Sequence, residues 1–481
     1  MSNIDPAIID RVPLAITDPE RIPAKRYYDE AFYKAEVEHF WPHVWQMACR
    51  LEQIPEVGDW IEYSNVGYSI IVVRTDDGVK AFHNHCRHRG VPFAGGCTVD
   101  SSHSVAHGNC AKSGFVCPFH GWRWNMHGEN TFVYGKHLFS ERQLDADDIN
   151  LIPCRVETAL GCAFINLDDD APGFRETIGP LVERLEAHAV DNLRAEWCFG
   201  TVLPANWKTS MEAFMEGYHV TQTHPQLHAC LPAMYDGLYE VKSGSSSTAD
   251  TLTSIDAEGV TVKEAIDAQI RHFELISEGM AGQLHPKELE IARTIPLDDL
   301  PDDPAQAVPM WFGMVMATVS STLKERGEPV PDIIAVNQSD PLQGVEYVFP
   351  HFFLLPFFTS FASYRVRPLG PEHTLFEIYS LTMHPEGVEP EPVMEPTMLP
   401  FNSRDFPPIP RQDYSNIPIQ QKALHSKGFE YMRLAKDVEG LVSNYQRVID
   451  GYLAGLPTEQ LAEATTHLGG NFDGPIKDLG F

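Results

Sequence analysis

The chain has 481 residues, of which 43% are hydrophobic and 10% aromatic, with 36 Lys and Arg against 67 Asp and Glu for a formal charge of −31. That apolar share can bury a large core and excludes a disordered or fibrous chain. The negative balance argues against nucleic-acid binding, which needs cations in excess for the phosphates. Nine cysteines, an odd number in a long chain, do not form a disulfide framework. Residues 1–23 carry no apolar core of signal-peptide length, and the most apolar stretch, 347–364, is broken by Pro350, His351 and Pro356. The reading is therefore cytoplasmic, with no membrane span and with cysteines free for metals.

Along the chain, Phe32, Val37, Phe40, Trp41 and Val44 predict an amphipathic helix over residues 28–47. Three β-branched or aromatic runs follow at 60–63, 69–73 and 79–82, separated by Asn65-Val66-Gly67 and Asp76-Asp77-Gly78, which are hairpin signals. A small all-β unit thus begins near residue 50 and continues to a strand at 163–167. Residues 174–187 read as helix, 243–256 as a Ser/Thr/Gly linker, 259–292 as one or two helices and 296–309 as a Pro/Asp-rich loop. Strand-like runs occupy 345–350, 358–368 and 374–382. Tyr431, Leu434, Val438, Leu441 and Tyr445 predict a long helix over 428–452. The class is α+β, with a small β domain ahead of a larger mixed one.

Two constellations carry chemistry. Cys86-Arg87-His88-Arg89-Gly90 and Cys117-Pro118-Phe119-His120-Gly121-Trp122 are two loops that each offer one thiolate and one imidazole. A Rieske [2Fe–2S] cluster uses two cysteines on one iron and two histidines on the other. Structural zinc competes on ligand type, but a finger places its cysteine pair before its histidine pair, whereas here the types alternate. The insertion between the loops, 95–115, holds Cys97, His103, His107 and Cys110, read as incidental rather than as a further metal site.

The second constellation is Glu216, His219 and His224. On a helix Glu216 and His219 share a face, whereas His219 and His224 lie about 140° apart. They meet at one metal only if the helix ends between them, and Pro225 supplies the reason, since a residue before proline is pushed from the α region. Two imidazoles with one carboxylate make the triad that holds non-haem ferrous iron. The carboxylate is placed at Asp437, with Glu439 and Asp450 as alternatives. The competing reading is a pair of unrelated core or surface histidines. Phe352, Phe353, Phe357, Phe358 and Phe361 either line an apolar pocket or form ordinary core strands.

With these motifs the chain resembles the Rieske non-haem iron oxygenases, the ring-hydroxylating oxygenase alpha subunits. Residues 40–50 and 55–60, the two Cys/His loops, and Asn206-Trp207-Lys208 with Glu216, His219 and His224 carry the likeness. The resemblance implies a Rieske β-sandwich domain at 43–166 and a catalytic domain at 1–42 and 167–481 with a helix-grip antiparallel sheet. It implies a [2Fe–2S] cluster on Cys86, His88, Cys117 and His120, and a mononuclear Fe(II) on His219, His224 and Asp437. It also implies a terminal oxygenase that takes electrons from a reductase or ferredoxin and uses O₂ on an aromatic or other small organic substrate. Its assembly would be a homotrimer, with or without a small beta subunit, in which Glu216 of one subunit bridges to His120 of the next. Two departures stand out. The inter-loop insertion is long, and glutamate replaces the aspartate of most ring dioxygenases at position 216, which is more like the branch that oxidises quaternary ammonium compounds. Arg87, Arg89, Lys112, Arg123 and Lys136 outnumber Asp100 and Glu129 around the first constellation, a balance that favours an acidic electron donor.

Overall fold

The computed structural model describes residues 5–94, 106–237, 259–280 and 282–481. The linker at 243–256 and, in the insertion, Cys97 and His103 lie outside the described residues. The chain divides into two units, Trp41–Phe174, and Met1–Phe40 together with Arg175–Phe481.

In the unit Trp41–Phe174, a seven-stranded sheet runs in the order Gln46–Arg50, Cys162–Asn166, Pro153–Ala159, Gly78–His83, Tyr68–Thr75, Asp59–Asn65 and His107–Asn109. Each neighbouring pair is antiparallel. The first hairpin closes with Asn65 opposite Tyr68, so Val66 and Gly67 are its two turn residues, at φ 42 and 88. Positive φ at both centres matches the strand twist. A three-stranded sheet, Phe115–Val116, Arg123–Trp124 and Asn130–Phe132, completes the unit. Between them lies one core of Ile71, Val73, Phe82, Phe115, Trp122 and Trp124, and Cys86 and Cys117 are rooted in it.

The other unit centres on a six-stranded sheet in the order Glu346–Val348, Phe352–Pro356, Phe361–Gly370, His373–Thr382, Arg194–Leu203 and Thr397–Met398, antiparallel except for the last pair. Helices cover it. Tyr414, on the helix Pro408–Leu424, meets Phe376 of the sheet at 5.4 Å between ring centroids. Phe273, on Val262–Gly279, stacks on Trp311 of Pro304–Glu325 at 5.7 Å and meets Phe358 at 5.6 Å. This is the expected α+β class, with mixed helices and antiparallel sheets.

Several elements differ from their sequence reading. The helix read over 28–47 is Glu30–His39 and stops short of Pro42; Gln46–Arg50 is a fully buried strand instead. The stretch 174–187 is two short helices, Phe174–Ile178 and Leu181–Ala187, with Gly179 at φ 73 between them. The loop read at 296–309 ends at Asp303, whose side chain accepts from the Ala305 N–H and starts a 22-residue helix with Pro304 in its first turn. Proline there is a start signal, not a loop signal. The long helix read over 428–452 is a short strand, Tyr431–Arg433, then a turn, then a helix only from Gly440 to Ala454.

Buried charge ties residues 5–40 to the rest of this unit. Lys208 Nζ lies 2.6 Å from Glu36, and neither side chain is exposed. Trp207 Nε1 donates to the other Glu36 oxygen at 3.3 Å. Arg26 pairs with Asp450 at 2.6 Å, and Tyr27 and Gln446 both donate to Glu212. Burial opposes the charge on Glu36 and on Lys208, and each offsets that cost for the other. Glu36→Ala should therefore lower the unfolding free energy by about 3–5 kcal/mol, because it strands a buried ammonium. Lys34→Ala, which breaks an exposed pair with Glu38, should cost less than about 1 kcal/mol. Urea denaturation of both variants separates the two cases.

Glu212 adds a pH dependence. Burial pushes its carboxyl up to about 7, against the hydrogen bonds from Gln446 and Tyr27 that hold it down. A folded value above the ordinary 4.5 means that the native state keeps the proton that the unfolded chain releases. Stability from this group is present at low pH and is lost as pH rises from about 4.5 to about 7. Glu212→Gln removes the loss, so its stability relative to the parent should climb from about pH 5 to about pH 8. A constant difference across that range would contradict the assignment.

Candidate functional site

Two loops of the unit Trp41–Phe174 share one hydrogen-bond frame. The Cys86 N–H donates to the Val91 carbonyl at 2.8 Å and the Gly90 N–H to the Cys86 carbonyl at 2.9 Å. In the second loop the Cys117 N–H donates to Trp122 at 2.8 Å and the Gly121 N–H to Cys117 at 3.0 Å. The closing glycines sit at φ 77 and 68, and a Cβ on either would meet nothing within 4 Å, so backbone conformation alone calls for glycine there. The frame presents His88 two residues after the first cysteine and His120 three after the second.

The two imidazoles come together, with ring centroids 4.7 Å apart, and His88 lies flat on Trp122 at 5.0 Å. Burial, reinforced by neighbouring Cys117, pushes the Cys86 thiol up to about 11. His88 Nδ1 is buried with no hydrogen-bond partner. A buried polar nitrogen facing a second imidazole beside paired thiols is costly without a cation to take it up. One zinc ion would gather its four donors at about 2.0–2.3 Å from itself. Among the described residues, the groups of three or more metal-ligating side chains whose ligand atoms lie within 4.8 Å of one another are His219/His224/Asp413 and Asp76/Asp77/His127. The Cys86, His88, Cys117 and His120 quartet spreads wider, which suits two irons rather than one ion. Cys110 and His107, from the insertion, are core and strand residues.

The second site forms where a helix fails to continue. Asn206 caps Trp207–Glu212 by accepting from the Lys208 N–H at 2.9 Å. That helix stops at Glu212, so Glu216 and His219 sit in the following turn rather than on one helix face. Glu216 ties the turn together: one carboxylate oxygen accepts from the His219 N–H at 3.0 Å, and the other lies 2.8 Å from His219 Nδ1. A single helical turn, Val220–Thr223, follows, and His224 leaves it at φ −118, ψ 58 ahead of Pro225. The His219 and His224 rings come to 5.4 Å.

The carboxylate between them belongs to Asp413, not Asp437. Asp413 Oδ1 lies 3.2 Å from His224 Nε2 and 3.7 Å from His219 Nε2. Asp437 is an exposed turn residue ahead of Gly440–Ala454 and takes no part in this group. Of the alternatives, Asp450 pairs with Arg26 and accepts from the Ile16 N–H, and Glu439 accepts from the Ala435 N–H. The sequence reading missed Asp413 because its helix, Pro408–Leu424, carries Pro408, Pro410 and Pro418 and looks like loop. A signal was present: Ile409, Asp413, Ile417 and Gln421 recur every four residues on the buried face, and an acid there needs a partner. Gln412, also missed, lies with Oε1 2.8 Å from His224 Nδ1 and shares amide hydrogen bonds with Gln226.

Both Nδ1 atoms are thus engaged by oxygen acceptors, and both Nε2 atoms face one carboxylate. This is the arrangement of a 2-His-1-carboxylate metal site with its outer hydrogen bonds in place. The surroundings favour positive charge. Burial works against a charged His219, yet Glu216, with Asp413 and Asp473 behind it, raises the imidazole to about 9. Burial, and then the charge of Glu216, hold the Asp473 carboxyl up at about 7. On the sheet side, Phe214 packs on Phe353, Tyr364 and Phe376, and Tyr414 packs on Phe376 and Phe406. Of the phenylalanine run, Phe353 belongs to this cluster, whereas Phe357 and Phe358 pack with Phe273.

Comparison with known proteins adds the lineage. The family model described as "Ring hydroxylating alpha subunit (catalytic domain)" matches residues 182–455, and that of the "Rieske [2Fe-2S] domain" matches 44–133. The carnitine monooxygenase oxygenase subunit of Escherichia coli (strain K12) is 29% identical over 231 residues, 47% of this chain and 58% of that protein. The biphenyl 2,3-dioxygenase subunit alpha of Rhodococcus jostii (strain RHA1) is 31% identical over 229 residues, 45% of this chain and 46% of that one. The chain spans about half the length of the curated relatives it matches. A solved naphthalene 1,2-dioxygenase with bound indole shares the fold, with a TM-score of 0.59 at 17% identity over 96% of this chain and 99% of that one.

Replacing the carboxylate tests the ligand set. Asp413→Ala should lower iron from about three per chain to about two while the visible spectrum of the cluster persists. Asp437→Ala should keep about three. Metal analysis beside absorption spectra reads both, and the reverse pattern would reinstate Asp437.

Proposed function

Because the chain belongs to the ring hydroxylating alpha subunit family and carries a Rieske [2Fe-2S] domain, we propose that it is the terminal oxygenase component of a multicomponent oxygenase. It would take electrons from a reductase or ferredoxin and use O₂ to hydroxylate a small organic substrate. The observation that carries this reading is the meeting of His219 and His224 Nε2 at one oxygen of Asp413, in a chain that also holds the Cys86, His88, Cys117 and His120 quartet. His219, His224 and Asp413 would hold the mononuclear iron, which would supply the O₂-activating redox chemistry there.

The protein's own part is positioning. Glu216 and Gln412 hold the two imidazoles with their Nε2 atoms turned inward. The buried rings of Phe353, Tyr364 and Phe376 pack against Phe214 and anchor the start of the turn on the sheet. Arg89, Lys112, Arg123 and Lys136 are exposed in the Rieske unit, and Arg89 and Arg123 lie over the exposed rings of Phe119 and Phe132. Basic, aromatic surface of this kind suits an acidic electron donor. The assembly that goes with the reading is a homotrimer in which His120 of one copy meets Glu216 of the next. The exposure of Phe119 beside His120 and of Tyr218 beside Glu216 supports it.

Two substrate classes remain in view. An aromatic compound is suggested by the relative named as a biphenyl dioxygenase. A quaternary ammonium compound is favoured by the acids Glu216 and Asp473 near His219, with Glu439 near Glu216, and by the relative named as a carnitine monooxygenase.

The test is product analysis under ¹⁸O₂ with a surrogate reductase, across aromatic acids, polycyclics and trimethylammonium compounds. Labelled product from one class is the expected result, and His219→Ala should abolish it while leaving the cluster spectrum unchanged. Iron-loaded protein that oxidises no member of the panel, or a His219→Ala variant that loses its colour, would overturn the reading.

A further inference from the structure

The segment Asn471–Ile476 lies beyond the residues matched by the family model, yet it reaches the turn that carries Glu216 and His219. It is braced on both sides. The Gly440 N–H donates to the Gly474 carbonyl at 2.9 Å, and the Ile476 N–H donates to Lys436 at 2.8 Å. A Cβ on Gly440 would lie 2.0 Å from the Pro475 carbonyl carbon, so the two backbones touch. Within the segment, the Gly474 N–H donates to the Asn471 carbonyl at 3.0 Å and Asn471 Nδ2 donates to Pro475 at 3.2 Å. The brace holds Asp473 in the left-handed region at φ 48, a conformation that non-glycine residues seldom adopt and that aspartate tolerates better than most.

What that conformation delivers is a carboxylate at Gly217. The Gly217 N–H donates to Asp473 Oδ1 at 2.6 Å. A Cβ on Gly217 would stand 2.9 Å from Asp473 Oδ2, so the missing side chain is what admits the acid. The peptide that owns this N–H also contains the Glu216 carbonyl carbon, and the peptide unit is planar. Holding the Gly217 N–H therefore fixes the plane from which the Glu216 side chain departs. Glu216 in turn holds both the backbone and the ring of His219.

We propose that Asp473 is a positioning residue of the oxygenase site: through the Gly217 N–H it sets the direction of Glu216, and through Glu216 the orientation of the His219 ring. This rests on the reading of His219, His224 and Asp413 as an iron site. Acceptance of one N–H is what the role requires, so an amide oxygen at position 473 should replace the carboxylate, whereas a methyl group should not.

The experiment compares Asp473→Asn, Asp473→Ala and Gly217→Ala with the parent chain. The last displaces the acid from the opposite side. For each, thermal unfolding, iron content and the cluster spectrum are measured first. Two readouts follow: the visible spectrum of cobalt(II) put in place of the mononuclear iron, and single-turnover reoxidation of the pre-reduced, iron-loaded protein by O₂. Asp473→Ala and Gly217→Ala should change the cobalt bands and slow reoxidation about tenfold or more, with iron content and melting near the parent's. Asp473→Asn should leave the bands in place and the rate within about threefold of the parent's. Unchanged cobalt bands in Asp473→Ala, or an asparagine variant as impaired as the alanine one, would overturn the proposal. Loss of iron or of fold in both alanine variants would do the same, since it would assign Asp473 a purely structural role. Absence of mononuclear iron from the parent itself would instead overturn the underlying site, and the first iron assay detects that before any variant is compared.

Discussion

Two imidazoles five residues apart cannot face one point from a regular helix, and the rest of the catalytic unit is arranged around that constraint. The chain meets it by abandoning helix twice, after Glu212 and again at His224. The break after Glu212 leaves backbone N–H groups that need partners. Glu216 supplies one by accepting from the His219 N–H, and Asp473 supplies another by accepting from the Gly217 N–H. The same two acids surround His219 with negative charge. The irregular backbone and the electrostatics of the site therefore have a common origin.

Because the turn is irregular, it needs rigid surroundings. The sheet lies beneath it through the Phe214 rings, and the helix Pro408–Leu424 brings in both Asp413 and Gln412, consecutive residues that address His219/His224 Nε2 and His224 Nδ1. Lys208 and Glu212, on the helix leading into the turn, are anchored by Glu36 and by Tyr27 and Gln446. A buried ion pair is an expensive way to gain stability.

The Rieske unit meets a different demand by repetition. Two loops close with the same pair of hydrogen bonds and a left-handed glycine in the same place, and they differ in where the histidine falls. Two copies of one turn, rooted in one aromatic core, turn a pair of thiols and a pair of imidazoles toward each other.

Local features follow from residues that are near neighbours in the chain. Strand runs with hairpin turns, two Cys/His loops closed by glycine, and a Glu-x-x-His segment ended by Pro225 are all set by neighbours a few residues away, and they were enough to recognise the class and two of the three residues in the candidate iron group. Asp413 was beyond that reach. The helix that carries it is written in prolines and polar residues and is stable only because Tyr414 and Ile417 are covered by the rest of the unit. Asp437 fits the periodicity as well as any other acid near the end of the chain, and nothing short of three-dimensional packing places it in an exposed turn. Asp473 is the same case from the far end, because its contact with Gly217 spans 256 positions. Local steric and hydrogen-bonding preferences are encoded within a few residues, whereas the choice of which distant carboxylate closes a site depends on burial that exists only after the helices have docked on the sheet.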